Sequence, residues 1–141
     1  MLFPSRDQKP DRWGRRGVWP IWIAAFALGT YTHLWWVLHA GFIRNPGAPL
    51  WANLYWTSLT VLDPLAILLI VLGRARAAIG LALSIMISNL IMNSWASFGL
   101  NLSGYEVSLP MQTAFFGFVA GSSLYLWPRT ETASSKLGSV S

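Results

Sequence analysis

Cysteine is absent from all 141 residues, which removes disulfides, thiolate nucleophiles and Cys-based zinc or iron–sulfur sites from consideration. Charge is scarce too: 11% of the residues are Asp, Glu, Lys or Arg, against about a quarter in a soluble domain. Acids are the rarer sign, five against ten bases, and of these only Asp63 lies within an apolar stretch. Chemistry that needs two carboxylates has one at most inside such a stretch. A Gly-rich phosphate loop, a nucleophile elbow and the H-x3-H or H-E-x2-H spacings of metal sites are also missing, so no metal and no cofactor is expected. The formal net charge of +5 does not point to nucleic acid, because the bases stand at the ends of apolar segments, where membrane topology places them.

What the chain has in abundance is apolar length. It is 54% hydrophobic with nine tryptophans, and four segments are long enough to cross roughly 30 Å of hydrocarbon at 1.5 Å per residue. These spans are expected at about 18–40, 51–72, 77–98 and 110–127. Residues 1–17 read as a disordered basic tail and residues 129–141 as a disordered Ser-rich end. The first run is too long for a signal h-region and lacks a cleavage site, so it is kept as a helix. Pro46, Gly47 and Pro49 break the chain after the first span, and Gly73-Arg-Ala-Arg76 joins the second and third so tightly that they must be antiparallel neighbours. With four spans, the N-terminal bases, Arg74 with Arg76, and Arg129 with Lys136 fall on one side, which is then cytoplasmic. The fold class is therefore an all-α integral membrane protein, a four-helix antiparallel bundle with both termini cytoplasmic, placed in a bacterial cytoplasmic membrane. Most tryptophans fit interfacial belts. Gly80-x3-Ser84-x3-Ser88 and Gly117-x3-Gly121 are spaced for close helix approach.

A few polar residues remain inside the spans. An acid in hydrocarbon costs several kcal/mol unless it faces protein or water, so Asp63 requires a partner. By depth, Asn89 on the neighbouring helix is level with it, and the plainer reading is an interhelical hydrogen bond that fixes the hairpin. Pro64 next to it frees the carbonyl of Thr60 and is expected to kink the helix. One layer outward, His33, Thr57 and Asn93 are expected to form an inward-facing polar patch, with Trp36, Trp56 and Trp95 as walls able to hold a cation by their faces. His39, near the interface, reads as solvated. An enzyme built on these residues would use His33 and Asp63 as its acid and base.

The order Thr32-His33-Leu34-Trp35, Asp63-Pro64-Leu65, a short basic turn, then Met92-Asn93-Ser94-Trp95 resembles the four-helix module of emopamil-binding-protein-like membrane proteins, the EXPERA group, over about Thr32 to Trp127. The resemblance implies a helical bundle around a ligand cavity, and sterol-like or cationic amphiphilic ligands. Val37 and Tyr55 stand where the isomerases of that group carry carboxylates, so the cavity is expected without the isomerase chemistry. The expected function is the binding of a hydrophobic, sterol- or isoprenoid-like molecule or membrane lipid by His33, Trp36, Trp56, Thr57, Asp63, Asn89, Asn93 and Trp95. The alternatives are an accessory subunit with a membrane-protein partner, or a homodimer; a lipid-modifying isomerase-like enzyme; and ion or proton transport through Asp63.

Overall fold

A computed structural model of the chain describes residues 12–127. Of the tails expected over 1–17 and 129–141, residues 1–11 and all of 129–141 lie outside the described residues. Four α-helices account for most of the described chain: α1 (Arg12–Ala40), α2 (Leu50–Val71), α3 (Ala75–Ser94) and α4 (Ser108–Leu126). One π-helical stretch, Trp95–Gly99, continues α3, and no strand occurs among the described residues. Residues 17–40, 50–71 and 75–99 are long and apolar enough to cross a membrane. By length and composition, then, this is an all-helical integral membrane protein. The α4 sequence is not among those three, because Gln112, Thr113, Ser122 and Ser123 dilute its apolar content.

Glycine sets two of the boundaries. Gly41 and Gly73 adopt φ of +72° and +69°, a left-handed conformation that costs a side-chain-bearing residue about 1 kcal/mol or more and that commonly ends helices. Gly41 N–H closes back on the Val37 carbonyl at 3.0 Å, and Gly73 N–H on Ile70 at 3.0 Å. Helix α1 begins at Arg12 rather than at Val18, so residues 12–17, expected in the tail, are helical. Helix α2 runs without interruption through Pro64.

The helices pack through alanines. Ala52, Ala66, Ala78, Ala82 and Ala96 are all fully buried, among larger core residues that include Trp22, Phe26, Leu59, Ile79 and Val119. In lipid no hydrophobic force drives helices together, so close approach of small residues and interhelical hydrogen bonds must do so. Of the small-residue series singled out by spacing, Ser88 accepts from the Tyr55 hydroxyl on α2 at 2.9 Å, whereas among the described residues ideal Cβ positions on Gly80, Gly117 and Gly121 meet nothing within 4 Å. Outward, the chain shows Leu28, Leu38, Val61, Val71, Ile91 and Leu124, each at least 60% exposed. Such an apolar exterior suits a hydrocarbon solvent.

Long-range hydrogen bonds fix which ends meet. Trp22 Nε1–H donates to Ser122 Oγ at 3.1 Å, joining the early part of α1 to the late part of α4. At the opposite end, the Asn45 amide in the α1–α2 loop donates to the Tyr105 hydroxyl at 3.1 Å, just ahead of α4. The two ends of α4 are thus level with the early part of α1 and with the loop that follows it.

Candidate functional site

Two sets of polar side chains occupy the interior, and they differ in how completely they are satisfied. The first is a closed network around Asn93, which is buried. Its Oδ1 accepts from Trp56 Nε1–H at 2.8 Å, and its amide donates to Asn89 Oδ1 at 3.0 Å and to Gln112 Oε1 at 2.8 Å. Because an indole N–H can only donate, it fixes which way the Asn93 amide points. Both amide hydrogens and the oxygen of Asn93 are used, and its bonds join α2, α3 and α4.

The second set lies between α1, α2 and their loop. His33, Trp36 and Val37 share one face of α1 by their three- and four-residue spacing. With Gly41, Arg44, Trp56 and Thr57 they line a small, half-enclosed pocket of about 10 Å³, room for a single water. Behind it, His33 Nε2 stands 3.9 Å from Asp63 Oδ2, with the two side chains 13% and 5% exposed. That is an ion-pair separation and too long for a hydrogen bond. Among the described residues, neither His33 nor Asp63 makes a hydrogen bond, and no other ion pair reaches them. Asn89, expected beside Asp63, belongs instead to the Asn93 network.

Backbone geometry seats Asp63 tightly. A Cβ on Gly29, one turn before His33, would come within 2.5 Å of Asp63 Oδ2, so glycine here makes the room that the carboxylate fills. At the mouth, the Arg44 guanidinium lies over the Trp36 ring, 4.6 Å from its centroid. Burial holds Arg44 below its ordinary pKa and Tyr105 above its own. The loop carrying Arg44 is held by Asn53, fully buried in the first turn of α2. Asn53 Oδ1 accepts from the Asn45 N–H at 2.8 Å, and its amide donates to the carbonyls of Asn45 at 3.0 Å and Ala48 at 3.2 Å.

Of the eight residues expected to bind ligand, His33, Trp36, Trp56 and Thr57 line the pocket and Asp63 adjoins it. Asn89 and Asn93 lie across Trp56 in the closed network. Trp95 stands apart, at the start of the π-helical stretch, stacked on Trp51 with centroids 5.1 Å apart. His39 stacks on Trp35 at 3.7 Å and is exposed. Glu106 is exposed and accepts from Gly104 N–H at 2.8 Å, so it brings no second carboxylate to the pocket. The roles of Arg44, Asn45, Asn53, Tyr105 and Gln112 were not anticipated from sequence. The available signal for Arg44 was that it is the only base between the first two spans.

Comparisons with protein-family profiles, with curated proteins and with solved structures find no match for this chain. The site is accordingly read from its own residues.

Proposed function

We propose that this chain is a four-span, antiparallel membrane protein with both termini cytoplasmic, and that it binds a hydrophobic small molecule, sterol- or isoprenoid-like, in the pocket between α1 and α2. The observation that carries the binding reading is the contrast between the two polar sets. Native interiors pair nearly all their buried polar groups, and Asn93 does so with every polar atom of its side chain. His33, Asp63 and half-buried Arg44 have neither hydrogen bonds nor, apart from the 3.9 Å approach of His33 to Asp63, ionic partners among the described residues. Groups left open around a pocket are what a bound molecule would satisfy. At about 10 Å³ the pocket holds only water as it stands, so a larger ligand must part α1 from α2 or extend from the mouth along the lipid-facing surface beside Trp36. The EXPERA resemblance agrees with a cavity among helices and with an apolar ligand.

Thr57→Phe fills the pocket from α2 and leaves the side chains of Asn89, Asn93 and Gln112 unchanged, at the loss of the 3.4 Å bond from the Thr57 hydroxyl to the Phe42 carbonyl. Solvent extraction of protein purified in mild detergent should recover a hydrophobic molecule near equimolar ratio from the parent chain and about tenfold less from Thr57→Phe, equivalent to a loss of about 1.4 kcal/mol of affinity. Equal recovery from both would reject the pocket as the binding site.

Four spans rather than three are supported by the level ends of α4. The absence of cysteine makes the topology test clean. A single cysteine at Ser103 should react with a membrane-impermeant maleimide on intact cells, and one at Ser139 only after permeabilisation. Reaction of both on intact cells would place α4 outside the membrane and reject the fourth span.

One observation favours a second reading, an accessory subunit or a homodimer. Gly80 with Ser84 on α3, and Gly117 with Gly121 on α4, are exposed, and the three glycines meet nothing inside the chain. Small residues facing lipid would let a neighbouring helix approach closely. Recovery of a stoichiometric protein instead of a small molecule supports that reading.

A further inference from the structure

We infer that the pocket's ligand carries an oxyanion, a phosphate or a carboxylate, seated against Arg44 at the mouth, with its apolar body directed into lipid beside Trp36. This rests on the binding reading above and specifies the chemistry of the ligand's head.

Arg44 is the only formally charged residue in the pocket lining. It is half-buried, yet among the described residues it makes no hydrogen bond and no ion pair. Neither of the two acids described pairs with it: Asp63 stands 3.9 Å from His33 Nε2, and Glu106 is turned to the Gly104 N–H. A guanidinium has five N–H donors in a planar fork that matches two oxygens of a carboxylate or phosphate. Trp36 holds the cation through the ring face, a contact that leaves the in-plane N–H groups available. Burial lowers the pKa of Arg44, and Tyr105 offsets this only in part; a bound anion would supply a counterion.

The seat is also preorganised. Asn45, next in sequence, has both its backbone N–H and its carbonyl bonded to Asn53 and its side chain bonded to Tyr105. Little ordering of the loop is then needed on binding, which is where affinity is commonly lost.

Two sources share this chemistry, the headgroup of an anionic lipid and a free anion. The full chain in detergent is examined by native mass spectrometry with added dioleoylphosphatidylglycerol or dioleoylglycerol, which lacks the phosphate, and separately by thermal unfolding with inorganic phosphate. The parent chain should retain one phosphatidylglycerol at about tenfold lower lipid concentration than dioleoylglycerol, a difference of about 1.4 kcal/mol. Arg44→Gln should lose that preference, Arg44→Lys should keep part of it because the charge remains without the fork, and the Arg74→Gln/Arg76→Gln variant should keep all of it. A preference for phosphatidylglycerol without stabilisation by phosphate identifies a lipid headgroup. Stabilisation by phosphate that Arg44→Gln abolishes identifies a free anion. Equal retention of the two lipids by the parent chain with no effect of phosphate, or a preference unchanged in a folded Arg44→Gln, overturns the inference. The parent-chain comparison stands even if Arg44→Gln fails to fold. Retention of no lipid-sized molecule at all would instead defeat the binding reading beneath it.

Discussion

An Asn53→Ala variant should lose about 3 kcal/mol of stability, because its side chain serves several buried or half-buried backbone groups at once and each orphaned group costs about 1–3 kcal/mol. Asn53 is fully buried, and alanine in its place leaves the Asn45 N–H and the carbonyls of Asn45 and Ala48 without these partners. Asn45, Ala48 and their surroundings are partly accessible, so water recovers a share of the loss and the simple sum is not reached. Equilibrium unfolding in detergent, followed by far-UV circular dichroism, measures it. The same substitution releases the loop that aims Arg44, so ligand retention should fall together with stability. A change below about 0.5 kcal/mol, the size of an ordinary surface substitution, would mean that the loop is held by other contacts.

Gly29→Val should cost about 3 kcal/mol, at the upper end of the range for overpacking a filled interior. Its Cβ would come within 2.5 Å of Asp63 Oδ2 and 3.4 Å of Asp63 Cγ, and the carboxylate is buried with little room to retreat. Alanine is the gentler probe, since its helix propensity exceeds that of glycine by about 1 kcal/mol and offsets part of the clash. The decisive comparison is the double variant. If the clash is with Asp63, adding Asp63→Ala should recover most of what Gly29→Val loses, giving a coupling of about 2 kcal/mol between directly contacting sites. Additive losses would place the carboxylate away from Gly29.

The apolar runs made the helices legible, and the helix-ending glycines lie where the runs stop. Gly41 and Gly73 end α1 and α2 within a residue of the expected limits. The start of α1 was not legible, because Arg12 to Gly17 is polar and a helix there leaves no apolar trace. Depth was legible in part: of His33, Thr57 and Asn93, expected in one layer, the first two line one pocket and Asn93 does not. Rotation about the helix axis was not. Counting residues from a membrane boundary gives height, whereas the partner is set by which face turns inward and which helix stands there. Asp63 therefore turned toward Gly29 and His33 on α1, and Asn89 turned along its own helix to Asn93. Arg44, Asn53 and Tyr105 lie in a loop or at its edges, where no periodicity marks a contact. The glycine series failed as a guide for a related reason: spacing identifies a smooth face without saying what packs on it, and inside this chain the buried alanines took that role.

Native mass spectrometry of the intact purified chain, with Thr57→Phe as the blank, tests most directly whether the open polar set of His33, Asp63 and Arg44 holds a molecule. The account predicts one lipid-sized adduct per parent chain and a bare Thr57→Phe. A bare parent chain, or an adduct that Thr57→Phe keeps unchanged, would contradict it.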